Sequence, residues 1–270
     1  MTVRGSRTTA DGIWAQEVGD GPLVALVHGA MDRSGGMLRV RRALQSTCLV
    51  LRYDRRGYAR SLPAGPSRSF DQQVDDLAGL LAGRPAVLAG HSFGGLICLA
   101  LAQRRPDLVR AVVAVEAPEM WASWWPGSSV GNQVARFPDP EDAAEGFLRR
   151  MIGDRTWERL PAAMRAERRA EGPALIAEMR TVRPPNPPPF EARAITVPVI
   201  AAFGSETRPH HMRATEDLAR TAPRGELRVI EGADHGSHLT HPREVADLVL
   251  LALERAGEPV AQPSTTAEGD

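Results

Sequence analysis

The chain has 270 residues, of which 43% are hydrophobic and 24% charged, as in an ordinary globular protein able to bury a self-supporting core. Acidic and basic residues number 33 each, so the charge gives no indication of a nucleic-acid partner or an anionic membrane surface. All the basic residues are arginine, which excludes a lysine Schiff base, a P-loop lysine and a Ser–Lys dyad.

Cysteine content and the N-terminal sequence exclude further classes of protein. Two cysteines are too few for a disulfide framework or a zinc cluster. The first residues lack the apolar segment of a signal peptide, and no run of about 18 apolar residues occurs. We therefore expect a cytoplasmic protein without a membrane span.

Apolar runs alternate with helical patterns in the first part of the chain. The runs, each typical of a strand buried on both faces, are Pro22–Val27, Cys48–Leu51, Pro85–Ala89 and Val109–Val115. Helices are predicted between them at Ser34–Gln45, from an N-cap at Ser69 to Gly83, and at Leu96–Arg104. The first 18 residues are predicted to form a β-hairpin around Ala10–Gly12. This alternation predicts an α/β fold with a mostly parallel, doubly wound sheet flanked by helices.

The alternation stops after Val115 and resumes at the predicted strand Val197–Phe203. Helical segments are predicted in the interval at Pro140–Met151, Arg155–Ala170 and Pro173–Val182. A helix at His211–Ala222, a strand at Glu226–Ile230 and a helix at Pro242–Arg255 follow. We interpret residues 119–190 as a helical cap inserted between two late strands of a core that comprises residues 1–118 and 191–258. Residues 259–270, rich in Pro, Ser, Thr and Glu, are predicted to be disordered.

One motif carries chemistry. A G-x-S-x-G pentapeptide, Gly90-His91-Ser92-Phe93-Gly94, lies between a predicted strand and a predicted helix. A sharp strand-to-helix turn strains the serine backbone, and larger side chains at the flanking glycines would clash. The turn exposes the Ser92 hydroxyl at the N-terminus of the helix, where the backbone N–H of Phe93 is directed at a developing oxyanion. A glycine-rich turn that only packs a helix against a strand is the less favoured interpretation.

Four motifs, in this order, resemble those of the α/β-hydrolase fold family. They are Val27-His28-Gly29, Tyr53-Asp54-Arg55-Arg56-Gly57-Tyr58, Gly90-His91-Ser92-Phe93-Gly94-Gly95 and Gly232-Ala233-Asp234-His235. The resemblance covers the chain from about Leu23 to Leu253. With serine at the nucleophile position, the chain resembles the esterase, lipase and perhydrolase branches of the family.

The resemblance implies that His235, in the loop after the last strand, is the general base. A neutral imidazole at this position can take the serine proton and return it to the leaving group. The other histidines are expected in other motifs (His28, His91), at a helix start (His210, His211) or on the surface (His238, His241).

The acidic residue expected to orient His235 departs from the common pattern of the family. That pattern places an aspartate a few residues after the strand Val197–Phe203. This chain has Thr207 there, with Glu206 one position earlier. Glu116, at the end of the preceding strand, is the other candidate, because some haloalkane dehalogenases of the same fold take a glutamate from that strand end. An acid at either place orients the imidazole. We prefer Glu116, and Glu206 stays open.

Two backbone amides are expected to bind the oxyanion. One belongs to Phe93, directly after the nucleophile. The other follows His28-Gly29 and is assigned to Ala30, with Met31 as the alternative.

Large apolar side chains are concentrated at the start of the insert. Trp121, Trp124 and Trp125 lie within five residues of one another, just past a strand end. If they face the pocket together with Met31, the substrate is apolar or aromatic and of moderate size. Packing within the cap is an equally good interpretation.

The sequence therefore favours a cofactor-free, metal-free serine hydrolase that cleaves a carboxylic ester, lactone or thioester of a small molecule. Hydrolysis of C–C bonds, perhydrolysis and acyl transfer use the same residues and stay open. The alternative is a ligand-binding protein that kept the fold and lost turnover. Replacing Ser92 with alanine distinguishes the two hypotheses. The substitution should abolish turnover by a hydrolase, whereas it should leave ligand binding intact in a binding protein. The oligomeric state is left open.

Overall fold

The computed structural model describes residues 3–184 and 186–258, so the disorder predicted for residues 259–270 lies outside the described residues. Within these ranges the strands β1 to β8 are Val3–Thr8, Trp14–Val18, Leu23–Val27, Leu49–Tyr53, Ala86–His91, Val109–Val115, Val199–Gly204 and Gly225–Ile230. The helices α1 to α11 of the same ranges are Leu38–Leu44, Phe70–Leu81, Phe93–Arg104, Val130–Gln133, Pro140–Ile152, Asp154–Arg159, Ala162–Arg169, Gly172–Thr181, Pro209–Thr221, Ser237–Thr240 and Pro242–Arg255.

The strands form one sheet in the order β1-β2-β4-β3-β5-β6-β7-β8. From β4 through β3 to β8, neighbouring strands are parallel. The antiparallel pair β1–β2 confirms the predicted hairpin, and β2 joins the sheet by antiparallel pairing with β4. The mostly parallel sheet with flanking helices confirms the predicted α/β class. In residues 3–184 and 186–258, every helix is too short or too polar to span a lipid bilayer.

The sheet separates two hydrophobic cores, one on each face. Along β3, Ala25 and Val27 belong to the first core, whereas Val24 and Leu26 belong to the second. Successive side chains of a strand point to opposite faces, so a strand covered on both sides is apolar throughout. Helices α2 and α3 supply the first core and helices α1 and α11 the second. This double coverage explains why the inner parallel strands β3, β5, β6 and β7 stand out in the sequence as apolar runs.

The predicted limits of α2 are confirmed by its caps. The Ser69 hydroxyl accepts a hydrogen bond from the Gln72 amide at 3.1 Å, which satisfies one free N–H of the first turn. The helix ends at Ala82, whose φ is 52°, and Gly83 continues the left-handed backbone with a φ of 77°.

The prediction of one helix over Arg155–Ala170 is wrong. Pro161 divides the segment into α6 and α7. A proline disfavours helical backbone in the residue before it, and Leu160 is accordingly extended, with a ψ of 141°. Helices α4 to α8 all lie between β6 and β7, where the insert was predicted. The exact limits of the cap stay a prediction.

A buried ion pair joins the insert to the loop after β4, and its arginine also bonds to the loop after β3. Arg55 pairs with Glu178 of α8, and both side chains are only 1% exposed. Glu178 also accepts a hydrogen bond from the Tyr58 hydroxyl at 2.8 Å. On its other side, the Arg55 guanidinium donates to the carbonyl oxygens of His28 at 2.8 Å and Gly29 at 2.9 Å. Burial raises the pKa of Glu178, and the charge of Arg55 opposes that rise. The insert and the His28–Gly29 turn are therefore held by one charged group.

We expect the substitution Glu178→Gln to lower the free energy of unfolding by about 3–5 kcal/mol, because it leaves the Arg55 charge buried without a counter-ion. Denaturant titration followed by circular dichroism measures the change. Glu167→Gln is the matched control, since Glu167 is 64% exposed and pairs with Arg33 at the surface. That control should change the free energy by about 0–1 kcal/mol. Equal, small effects of the two substitutions would contradict a structural role for the buried pair.

Candidate active site

The predicted functional residues meet at one edge of the sheet. Ala30 follows β3, Ser92 follows β5, Glu116 follows β6 and His235 lies in the loop after β8. Because these strands are parallel, their carboxyl ends share an edge, which is where open α/β sheets place their ligand sites. Residues more than two hundred positions apart in the chain thus come together.

Ser92 occupies the sharp turn that the motif predicts. Its φ is 50° and its ψ is −122°, an unusual backbone conformation for a residue other than glycine. The Ser92 amide donates to the Val115 carbonyl at 2.8 Å, which ties the turn to β6. A Cβ added to Gly90 would collide with the Gly94 carbonyl. Phe93 is the first residue of α3, so its amide is one of the N-terminal N–H groups without an intrahelical acceptor.

Glu116 presents a buried carboxylate to the site. It accepts hydrogen bonds from the Gly204 amide at 3.0 Å and the Thr207 hydroxyl at 2.7 Å. The same oxygen that receives Thr207 lies 2.6 Å from Nδ1 of His235, whose side chain is 20% exposed. Three donors therefore fix the carboxylate, and the carboxylate fixes the ring of His235.

The structure distinguishes the two carboxylates that the sequence left open. Glu206 is exposed to solvent, and its amide bonds to the Ala233 carbonyl at 2.8 Å. Thr207 stands where the resemblance expects an aspartate, and it donates to Glu116. The carboxylate in contact with His235 thus lies at the end of β6, and the position where the resemblance expects an aspartate supports that carboxylate with a hydroxyl group. Sequence analysis identified Thr207 only as a departure and did not anticipate this supporting contact.

His235 lies between two other histidine rings. The ring of His211 stacks on it with a centroid distance of 4.3 Å and an interplanar angle of 30°, and His91 lies 4.7 Å away. Burial lowers the pKa of both His91 and His211 well below the ordinary value, so both rings are neutral near pH 7. Sequence analysis assigned His211 only to a helix start. The start of α9 does lie at the functional edge of the sheet, and this position is the sequence signal that could have placed His211 near the site.

The loop after β3 approaches Ser92 closely. A Cβ added to Gly29 would lie 3.2 Å from the Ser92 Cβ. Met31 has a φ of 52°, and its carbonyl accepts a hydrogen bond from Arg168. The second oxyanion donor, Ala30 or Met31, stays a prediction.

The three tryptophans at the start of the insert have different neighbours. The ring of Trp125 lies 5.3 Å from that of His211, edge to face, and its indole N–H donates to Ser129 at 3.0 Å. Trp124 lies under the Arg213 guanidinium at 4.2 Å. Trp121 packs against the distant end of the insert. Only Trp125 is connected to the candidate site by these contacts, and the pocket assigned to all three tryptophans and Met31 stays a prediction.

The prediction that His238 lies on the surface is wrong, because this residue is only 3% exposed. Nε2 of His238 lies 3.1 Å from Oδ2 of Asp32, which sequence analysis did not single out. Burial acts to raise the pKa of Asp32, but the hydrogen bond and charge of His238 lower it overall. The ring of His238 packs on His91 at 4.1 Å. A second acid–histidine contact therefore lies beside that of Glu116 and His235.

The sheet, the strained turn at Ser92 and the acid–histidine pair define a protein of the α/β-hydrolase class. The chain belongs to the alpha/beta hydrolase family, whose model matches residues 24–248.

Several relatives carry hydrolase names. The chain is 26% identical over 241 residues to 2-(acetamidomethylene)succinate hydrolase of Mesorhizobium japonicum, covering 82% of this chain and 84% of that protein. It is 27% identical over 255 residues to a pimeloyl-[acyl-carrier protein] methyl ester esterase of Chromobacterium violaceum, covering 90% and 98% of the two. The fold is similar to that of the enol-lactonase from Burkholderia xenovorans, with a TM-score of 0.69, 22% identity and coverage of 93% and 98%. These relatives support hydrolase activity.

We expect the protein to lose stability as the pH falls below about 6.5, the ordinary pKa of histidine. Burial, together with the charge of Arg55, lowers the pKa of His28 to about 3, so the folded state resists a proton that the unfolded chain accepts. Between about pH 3 and pH 6.5 the unfolded state binds more protons than the folded state, and the free energy of unfolding therefore rises with pH. From pH 7 to pH 5, His28 alone accounts for roughly 2 kcal/mol.

Urea titrations at several pH values measure this dependence. The substitution His28→Gln should flatten it by the same amount, because the amide takes up no proton. An equally steep pH dependence in His28→Gln would show that His28 is not the source. His211, whose pKa is also lowered by burial, adds to the dependence with the same sign.

Proposed function

We propose that the protein is a cofactor-free serine hydrolase that cleaves a carboxylic ester, lactone or thioester of a small molecule through an acyl-enzyme. The observation that carries the proposal is the 2.6 Å contact between Glu116 and Nδ1 of His235, at the sheet edge where Ser92 occupies a nucleophile turn. An oriented base beside an exposed hydroxyl is the requirement for covalent acyl transfer.

The proposed reaction begins when Ser92 Oγ attacks the substrate carbonyl carbon while Nε2 of His235 takes the hydroxyl proton. The carbonyl π electrons move to the oxygen, and the N–H groups of Phe93 and Ala30 stabilise the resulting oxyanion. When the tetrahedral intermediate collapses, the bond to the leaving group breaks and His235 protonates that group. A water molecule then repeats the sequence on the acyl-enzyme and releases the acid. Throughout, Glu116 holds the Nδ1 proton of His235 and supports the imidazolium charge.

The bonds around Glu116 favour this role over a merely structural one. A capping glutamate would bond to the backbone of its own loop, whereas Glu116 bonds to Gly204 and Thr207 on the neighbouring strand end and to His235 on the next loop. The backbone of Glu116 has a φ of 51°, and strained backbone of this kind is concentrated at functional sites.

An apolar substrate of moderate size is part of the proposal. Met31 is buried directly beside Ala30, and Trp125 packs edge to face on His211, which itself stacks on His235. Residues 119–190 would then act as a cap over Ser92, fixed by the buried pair of Arg55 and Glu178. The names of the esterase and enol-lactonase relatives support the choice of ester and lactone substrates.

We expect a fluorophosphonate probe to label Ser92, as peptide mass mapping would show, and Ser92→Ala to remove the label. His235→Ala should slow labelling by roughly 10²–10⁴-fold, because the serine loses its general base. Ser46→Ala, at an exposed position after α1, is the control and should label at the normal rate. A folded protein that resists the probe would favour the alternative of ligand binding without turnover.

We also expect Glu116→Gln to lower kcat for a short-chain p-nitrophenyl ester by about 10³–10⁴-fold, because the amide no longer holds the productive tautomer of His235. Glu206→Gln removes the same charge from an exposed position and should retain nearly full activity. The reverse ranking of the two variants would assign the acid to Glu206 and contradict the proposed triad.

A further inference from the structure

A second group of metal-ligating side chains lies beside the proposed triad. Asp32, His91 and His238 each offer one ligand atom, and these atoms lie within 4.8 Å of one another. Asp32 lies in the loop after β3, His91 is the last residue of β5 and His238 lies in α10, so no local sequence motif unites them. The proposed reaction uses none of the three side chains.

The polar atoms of this group are incompletely satisfied. Among the described residues, Nδ1 of His91 and Nδ1 of His238 have no hydrogen-bond partner, although the two residues are only 7% and 3% exposed. Buried polar atoms without partners are rare and carry a free-energy cost. The other nitrogen of His91, Nε2, donates to the carbonyl oxygen of His235 at 2.7 Å. This bond places the proton of the neutral ring on Nε2 and leaves the lone pair of Nδ1 free, as in many histidines that bind metals.

One pair of donors already has nearly the spacing of two ligands of a tetrahedral cation. Bonds of 2.0–2.1 Å at a tetrahedral zinc ion place neighbouring ligand atoms about 3.3 Å apart. Oδ2 of Asp32 and Nε2 of His238 are already 3.1 Å apart. His238 frees Nε2 for a cation by carrying its proton on Nδ1, an exchange of tautomers that leaves its charge unchanged.

The triad also contains a group of possible ligands, Glu116, His211 and His235, but its geometry is less suitable. Nδ1 of His235 and the Glu116 carboxylate are 2.6 Å apart, the distance of a strong hydrogen bond and too short for two ligands of one ion. The carboxylate is also held by Gly204 and Thr207. The geometry therefore favours the group that contains Asp32.

We propose that Asp32, His91 and His238 form a binding site for a divalent cation of the zinc class. Two imidazoles and one carboxylate are a donor set that zinc prefers, and three protein ligands leave a fourth position for water. The Asp32 side chain, 23% exposed, gives the cation access from solvent. Asp32 lies two residues after Ala30, His91 directly before Ser92 and His238 three residues after His235. A bound cation would therefore crosslink the three loops that carry the proposed catalytic groups.

The test is a metal titration of the full-length protein after treatment with a chelator. Calorimetry with Zn²⁺ and absorption spectroscopy with Co²⁺ should both show one saturable site. Asp32→Asn and His238→Phe should each weaken binding by at least about 10–100-fold, the range that even an outer-sphere change produces. The matched controls Asp234→Asn, at an exposed loop position, and His211→Phe, in the other group, should bind as the unmodified protein does.

Binding is read independently of hydrolysis, so the result stands whether or not the proposed function is correct. The absence of a saturable site, or unchanged affinity in Asp32→Asn and His238→Phe, would overturn the assignment. Loss of binding in His211→Phe alone would also overturn it and place the cation at Glu116. Circular dichroism checks the fold of each variant. If His238→Phe does not fold, the nearly isosteric and partly exposed Asp32→Asn decides the question.

Discussion

The carboxylate of Glu116 is the interaction on which the candidate site depends. It lies fully buried at the end of β6 and receives the Gly204 amide, the Thr207 hydroxyl and Nδ1 of His235. Bonds from β7, its following turn and the loop after β8 thus converge on one residue. A buried charge is tolerated only where such donors replace water. The same donors hold the loop of His235 in place, so the requirement to satisfy the charge and the requirement to orient the base are met together.

One residue likewise joins the insert to the loop after β3, which carries the proposed oxyanion donor. Arg55 reaches the carbonyls of His28 and Gly29 on one side and Glu178 of the insert on the other. Displacing α8 would break this ion pair and the hydrogen bond from the Tyr58 hydroxyl to Glu178. The position of the Ala30 amide is therefore coupled to the packing of α8. The loop of the proposed oxyanion donor and α8 of the insert, about 150 residues apart in the sequence, thus share one set of contacts.

Local patterns predicted the parts of this structure that depend on local chemistry. Continuous apolar runs located the parallel strands, because burial on both faces removes polar residues, and the cap of Ser69 located the start of α2. The glycines around Ser92 are required by collisions within a few residues. The contacts of His211, His238 and Asp32 depend instead on how separate loops meet at the sheet edge. Periodicity carries no information on such contacts, and His238 was accordingly assigned to the surface.

Five of the seven histidines form a connected group of rings around His235. A positive charge on any neighbour would oppose the charge that His235 acquires when it takes the serine proton in the proposed mechanism. Burial prevents this, because it lowers the pKa of His91, His210 and His211 and keeps these rings neutral near pH 7. Glu116 places a full negative charge in contact with the ring of His235. The neutral rings of His91 and His211 therefore pack against His235 without competing with it for a proton.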